Sequence, residues 1–462
     1  MRGGGTAARI GSCARRAGRQ LHGRRPTPGV LLVSASARSR VLFVSYGGGH
    51  VSMVLPVIRE LERSGADIEC LQLALTTGHL KARAVRPALG YRDFLHLVDR
   101  EAVQRWGQHC SAGNTSPDVP LDETIAYLGI NYLDLIAQYG EGGAAQRFAA
   151  EGRYGFRPLH FMRRLIDAIG PDLVVATNSP RSEQAALEVA VERGIPSLGM
   201  VDLFGLDSDS YVLRVVKPKY TCVIAESVRQ RLLQRGFNPE GVVVTGNPAF
   251  DGLSDPQNLA RAQEFLTRRG WQGKKVILNA GAWEPMAHPA TDIPAGRSFP
   301  IAIEGILRSY VRQRPDTALI LRYHPGDWFE YPRQADDPQV HFSEPPHEPI
   351  HPLILAASVV TNTNSTVGLE SAVAGKPVIS IENSPSVHVW FSLARLGVSY
   401  PSPTHLDLPA TLDRVLADPQ PMRAFQSDGR AAARVAGVVL QALDDGASIS
   451  RKIHSLRPDS GV

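Results

Sequence analysis

From Arg40 onward, short β-branched runs alternate with stretches of helical periodicity, and this alternation restricts the chain to βαβ units wound around parallel sheet. The first unit runs through Val41 to Tyr46, a Gly47-Gly48-Gly49-His50 turn, and an amphipathic helix carrying Leu55, Ile58 and Leu61 that stops near Gly65. A second strand is expected near Ile68 to Leu73. Helices are expected near Asp122 to Tyr139 and His160 to Ile169, after a Gly/Asn/Ser/Pro break at Ala112 to Pro120. Strands then follow at Asp172 to Ala176, Pro196 to Val201, Thr221 to Ala225 and Val242 to Thr245, with helices at Ser182 to Arg193 and Ser227 to Gln234.

Asn247-Pro248 and the polar stretch Ser254 to Asn258 interrupt this rhythm, and a second series begins at Lys275 to Ala280. It continues with a helix at Ile301 to Arg312, strands at Ala318 to Tyr323, Val359 to Thr361 and Pro377 to Ile381, and a helix at Val367 to Ala374. The expected fold is α/β, two tandem Rossmann-like doubly wound domains with a cleft between them. Residues 41–255 form the first and 256–420 the second, and residues 421–462 hold a helix, Met422 to Leu443, that returns across the junction.

The net charge of +5 overstates the basicity of this folded part, because residues 1–40 hold nine arginines and no acid, the first acid being Glu60. The rest carries 41 Lys and Arg against 45 Asp and Glu, a net of −4. A basic tail without interleaved aromatics excludes nucleic acid as the expected partner. The tail reads as a disordered extension; an Arg-rich targeting segment is the competing reading. Cys13, Cys70, Cys110 and Cys222 form no Cys-x-x-Cys pair, which fits a reducing, cytoplasmic setting. No apolar run approaches the ~20 residues that span a bilayer.

Open parallel sheets bind ligands beyond the carboxyl ends of their strands. Gly47, Gly48 and Gly49 occupy such a place, allow close backbone approach, and lead into a helix N-terminus; they lack the third glycine of a dinucleotide fingerprint, since position 52 is Ser52. Asn364, Ser365 and Thr366 stand between a strand and a helix, so that Ser365 or Thr366 caps the helix and helps to cradle a phosphate. Glu370, four residues past Thr366 and about 6 Å along the same face, is placed to grip a ribose diol. Arg322 and His324 share one face at the end of their strand and are expected to emerge together toward phosphate. The loop Gly281 to Pro294 carries Trp283, Glu284 and His288, and Asp202 follows another strand. The run His347-Glu348-Pro349-Ile350-His351 has H-E-x-x-H spacing, but Pro349 and Pro352 start a helix near Ile350 and leave His347 outside it, so no metal site is expected.

Gly47 to His50, Thr245-Gly246-Asn247-Pro248, His324-Pro325 and Ser365 to Val378 together resemble the GT-B superfamily of nucleotide-sugar enzymes, over residues 40 to about 445. The glycine-rich turn is similar to that of the peptidoglycan lipid-intermediate N-acetylglucosaminyltransferase. The Thr-Gly-Asn-Pro segment with Asp251 resembles the inter-domain segment of non-hydrolysing UDP-N-acetylglucosamine 2-epimerases. The run Ser365 to Val378 is similar to donor segments of both epimerases and capsule-type transferases. The resemblance implies that Ser365 and Thr366 bind phosphate, Glu370 binds ribose and His324 contacts the donor phosphate; Gly47, Gly48, Gly49, Asn247, Gly281, Glu284, Arg322 and Asn364 complete the expected substrate site by their places in the loops and at the strand ends. His50 or Asp202 would serve as catalytic base.

The epimerases' Gly-Thr-Arg-Pro-Glu start is absent, and their Gly-Asp-Thr is replaced by Thr177-Asn178-Ser179. The expected function is therefore a bacterial, cytoplasmic glycosyltransferase of cell-envelope glycan synthesis. It takes a UDP-linked sugar as substrate, needs no cofactor or metal, and serves a glycan, lipid-linked or small-molecule acceptor, a lipid-linked one implying peripheral membrane contact. The alternatives are a 2-epimerase-like enzyme or a catalytically silent sugar-nucleotide-binding subunit.

Overall fold

The computed structural model describes residues 38–74, 88–115, 119–206, 209–422 and 427–455. The disorder expected for residues 1–40 concerns positions outside this set except Arg38, Ser39 and Arg40, and Cys13 also lies outside it. Strand β1 (Ser39–Ser45) already includes Arg40, whose Nε donates to Glu69 at 2.9 Å and whose backbone N–H donates to Asp172 at 2.7 Å.

Thirteen strands among the described residues form two all-parallel sheets. The first has order β3-β2-β1-β4-β5-β6-β7, with β2 at Ile68–Ala74, β3 at Ala88–Leu89, β4 at Leu173–Thr177, β5 at Ser197–Met200, β6 at Tyr220–Val223 and β7 at Val242–Val244. The second has order β10-β9-β8-β11-β12-β13, with β8 at Lys275–Gly281, β9 at Thr317–Tyr323, β10 at Val340–Ser343, β11 at Val359–Asn362, β12 at Val378–Ile381 and β13 at Tyr400–Ser402. Each sheet winds outward from its first strand and then crosses to that strand's other side. The crevices at β1/β4 and β8/β11 are therefore the topological switch points where such sheets bind ligands.

The helices are α1 (Gly48–Arg63), α2 (Arg100–Ser111), α3 (Leu121–Glu151), α4 (Leu159–Ile169), α5 (Ser182–Glu192), α6 (Glu226–Gln234) and α7 (Pro256–Arg269), followed by α8 (Ser298–Arg312), α9 (Ile350–Ala356), α10 (Thr366–Val373), α11 (Pro385–Val389), α12 (Leu408–Ala417) and α13 (Ala431–Ser455). They cover both faces of each sheet, which is why the central strands are apolar on both sides. Along β1 the period of two sends Val41 and Phe43 against α1 and α13, and Leu42 and Val44 against α3, α4 and α5. Along β8, Val276 and Leu278 meet Phe265, Ile354 and Leu369, while Ile277 faces Phe299, Leu307 and Leu412. No helix among the described residues is long and apolar enough to cross a membrane.

The carboxyl ends of the two sheets meet. Phe204, beyond β5, packs into the core of the second sheet, 5.5 Å from the ring of Phe391. Helix α13 returns to the first sheet and starts at Ala431, nine residues later than the periodicity from Met422 suggests, because a carboxylate brought in by the tertiary fold sets its origin. Asp251 accepts the N–H groups of Ala431 and Ala432 at 3.0 and 2.8 Å.

Other differences have local causes. The polar run at Ser254 to Asn258 is a helix start, with the Asp255 carboxylate accepting the Gln257 N–H at 2.9 Å and Pro256 in the first turn. Helix α3 continues past Tyr139 to Glu151, bent where Gly140 takes φ 71°. Strands β10 and β13 and helices α2 and α12 were not expected; the two strands are four and three residues long at a sheet edge, too short to show a period.

Replacing Asp251 with Ala should lower stability by about 0.5–2 kcal/mol, the usual cost of a lost helix cap. Hydrogen exchange checks this: amides at the start of α13 should exchange faster while those of β9 stay unchanged.

Candidate functional site

The second switch point is formed by the β8–α8 loop, the β9 terminus and the β11–α10 turn. Gly281 ends β8, and a Cβ there would stand 2.7 Å from the ring of Tyr323, so only glycine lets the strand end lie against that ring. Its carbonyl accepts the His324 N–H at 3.0 Å, which joins the two loops. The exposed His324 accepts the Gly326 N–H on Nδ1 at 3.1 Å, leaving Nε2 to carry the hydrogen and donate outward. Ser365 is the N-cap of α10, its Oγ accepting the Val367 N–H at 3.2 Å, and Thr366 is exposed on the first turn.

Glu370 lies one turn further along α10, half-buried, its Oε2 3.4 Å from Nε2 of His351. Arg322 is buried beside this pair: burial pulls its guanidinium down to about 10, against the opposing fields of Glu348 and Glu370, so it stays charged at neutral pH. The site thus presents a carboxylate able to accept from a diol, a helix start with two hydroxyls, and an imidazole donor, with the Arg322 charge buried behind them. Those are the elements a nucleoside diphosphate requires.

On the facing side, α1 begins at Gly48 after Gly47 (φ −175°, ψ −171°), and Gly49 is exposed with open space where a Cβ would stand. His50 sits in the first turn with its Nδ1 buried and unpartnered. Asp202 is half-buried beyond β5, and Asn178, beyond β4, donates to its Oδ1 at 2.9 Å. The same amide lies 3.4 Å from Asp209. Burial raises the Asp209 carboxyl above its ordinary range, and the charge of Asp202 adds to the rise. No hydrogen bond or ion pair among the described residues joins His50 to Asp202.

Three expected ligands are already engaged within the protein. Glu284 is 1% exposed, and its carboxylate accepts from Ser384 Oγ at 2.7 Å and from Ser386 N–H and Oγ at 2.8 and 2.6 Å; it ties the β8–α8 loop to α11 and does not open to the cleft. Asn247 donates to the Asp202 carbonyl at 3.1 Å and accepts from Ala249 at 2.9 Å, pinning the inter-domain turn. Asn364 spends its amide N–H groups on the carbonyls of Ser386 and Phe391, at 3.1 and 3.3 Å. Arg322 and His324 do not emerge together, because Nη1 of Arg322 is drawn inward by Ser343 and the Glu348 carbonyl, both at 2.8 Å.

Sequence reasoning missed His351, which appeared only as the end of a metal-like motif, and Asp209. Pro349 (φ −59°, ψ 144°) caps α9, so His347 stands outside the helix and the two histidines do not stack. Glu348 is instead held by His341 Nε2 at 2.9 Å. Burial raises its carboxyl, but the His341 hydrogen bond and charge outweigh this and leave it below the ordinary range. Such a group adds stability above its unfolded value of 4.5 that is lost as pH falls through the lower folded value. Glu348→Gln should therefore cost about 0.5–1.5 kcal/mol at pH 7, and denaturant titrations should show the difference vanishing in acid below that window.

The family model described as UDP-N-acetylglucosamine 2-epimerase matches residues 218–439, just under half of the chain. No curated protein matches at the level of sequence. Among solved structures, the UDP-GlcNAc 2-epimerase of Neisseria meningitidis bound to UDP-GlcNAc superposes with a TM-score of 0.53 at 15% identity, covering 87% of this chain and 100% of its own. The S. aureus MnaA–UDP structure gives a TM-score of 0.54 at 12% identity, over 88% and 97%. The wall teichoic acid polymerase TagF gives 0.52 at 10% identity, over 88% and 90%. At such identities the likeness establishes architecture: the chain has the GT-B fold shared by these nucleotide-sugar enzymes.

Proposed function

We propose that the chain is a glycosyltransferase that moves a sugar from a UDP-linked donor, bound at the second switch point, to an acceptor bound by the first half. The observation that carries this reading is that the half-buried Asp202 carboxylate, at the carboxyl end of the first sheet, has a neutral amide, that of Asn178 at 2.9 Å, as its one hydrogen-bond partner among the described residues, while Asp209 takes the Tyr211 N–H at 2.8 Å besides that amide at 3.4 Å. A transfer needs one base there and room for an acceptor; the open space at Gly49 supplies the room.

In this reading Glu370, steadied by His351, accepts from the ribose hydroxyls. The start of α10 with Ser365 and Thr366 holds the diphosphate, and His324 Nε2–H donates to it. The acceptor oxygen bonds to the anomeric carbon as the bond from that carbon to the UDP oxygen breaks. The electron pair leaves with UDP, and the acceptor proton passes to Asp202, with His50 the other candidate base. Arg322 and the helix terminus stabilise the charge that builds on the leaving diphosphate.

A second reading, 2-epimerisation, is favoured by the family model and by one geometric feature. Asp202 and Asp209 share the Asn178 amide, at 2.9 and 3.4 Å, so two carboxyl groups stand together beyond the first sheet, and removal and return of a proton at C2 calls for two such groups.

Glu370→Ala should weaken UDP binding at least tenfold, since one charge-assisted hydrogen bond contributes about 1.5–3 kcal/mol; titration calorimetry with no change would remove the ribose assignment. Asp202→Asn should lower kcat about 10²–10⁴-fold at unchanged UDP affinity. UDP-N-acetylglucosamine incubated with the protein in deuterated water should gain no deuterium at C2, and incorporation there would replace transfer with epimerisation.

A further inference from the structure

The first switch point holds a cationic cluster that the donor chemistry leaves unused. Tyr46 directly follows β1, and Arg181 is the N-cap residue of α5 beyond β4, the neighbouring strand across the reversal of order. The Arg181 guanidinium carbon stands 3.9 Å over the Tyr46 ring and 5.7 Å from that of Tyr154, which is 78% exposed. Arg153 donates from Nη1 to the Tyr46 hydroxyl at 3.0 Å. Two guanidinium groups therefore converge on one ring, one above its face and one at its hydroxyl.

Arg181 is nearly without partners for so enclosed a cation. Its Nε is buried with no hydrogen bond, and its one hydrogen bond among the described residues is a 3.4 Å contact from Nη2 to Ser179. Burial opposes its charge, yet the field of Tyr127, Tyr46 and Glu183 holds the guanidinium above its ordinary range; Glu183 is wholly buried with both carboxylate oxygens unbonded, and no ion pair joins it to Arg181 within 4.0 Å among the described residues. The field thus favours the charge but leaves the N–H donors unspent, and enclosed donors are costly unless an acceptor completes them. Its planar fork matches the oxygens of a phosphate or carboxylate, and an exposed tyrosine beside it offers a stacking surface to a sugar ring. In residues 41–462, whose net charge is −4, these two cations beyond β1 and β4 are a local inversion of charge.

We propose that Arg181 and Arg153, set around Tyr46, bind an anionic group of the acceptor, a phosphate or carboxylate carried on a sugar. This rests on the transferase reading, in which the first half holds the acceptor. It names the acceptor's chemistry: the charge docks at the β1/β4 crevice while a neighbouring hydroxyl is offered toward Asp202.

The test is calorimetric binding to the full chain saturated with UDP, so that the donor site is closed to competitors. The probes are N-acetylglucosamine 1-phosphate, glucuronic acid and neutral N-acetylglucosamine. At least one charged sugar should bind tenfold or more tightly than the neutral one, the two charged arms separating phosphate from carboxylate. Arg181→Gln should abolish the preference without altering UDP affinity, and Arg181→Lys, which keeps the charge but loses the fork, should restore only part of it. If Arg181→Gln does not fold, Arg153→Gln carries the same expectation. Equal binding of charged and neutral sugars, or a preference that survives both glutamine variants, overturns the proposal. Because the readout is binding without turnover, it stands or falls separately from the deuterium experiment that decides between transfer and epimerisation.

Discussion

Strand β8 pairs in parallel with β9 on one side and β11 on the other, and the second half of the molecule depends on that double pairing. Parallel strands need right-handed crossovers, so a chain that winds first toward β9 and β10 and then toward β11, β12 and β13 must leave its first strand flanked by two loops that diverge. The crevice between them is a consequence of topology, and the residues that reach it are whichever follow β8, β9 and β11. The same reversal at β1 and β4 produces the opposing crevice, where Gly47 to His50 and Arg181 lie.

Once the crevice exists, its walls have to be held still, and much of the polar sequence around it does that. Glu284 accepts three hydrogen bonds from Ser384 and Ser386 and so locks the β8–α8 loop to α11. Asn247 and Asp251 perform the equivalent task at the junction, one holding the turn after β7 to the Asp202 carbonyl and the other starting α13. Binding at a rigid site loses less conformational entropy on ordering, which is the physical value of such anchors. Among the described residues, Glu370, His324, Thr366, His50, Asp202 and Arg181 keep unused capacity, and the functional proposals draw on them.

The comparisons and the site chemistry pull in partly different directions. The family model over residues 218–439 covers chiefly the second sheet and its helices. The proposed reaction turns on the opposite wall, where Asn178 holds Asp202 and approaches Asp209, and where the Arg181 guanidinium lies over Tyr46.

The sequence by itself determined the class of fold, because β-branched runs alternating with amphipathic stretches can bury their apolar atoms only as parallel sheet covered by helices. It also located the β11–α10 turn and the Gly47 to His50 turn, since caps and glycine turns are local chemistry, written in residues next to one another. Short edge strands such as β13 were hidden, because their pairing is supplied by β12 and not by their own period. The roles of individual polar side chains were decided only by tertiary structure. Glu284 and Glu370 look alike along the chain, yet one is filled by serines a hundred residues away and the other keeps a single histidine partner and a half-open carboxylate. That difference depends on which donors the fold brings within 3 Å, a long-range property that no local spacing encodes.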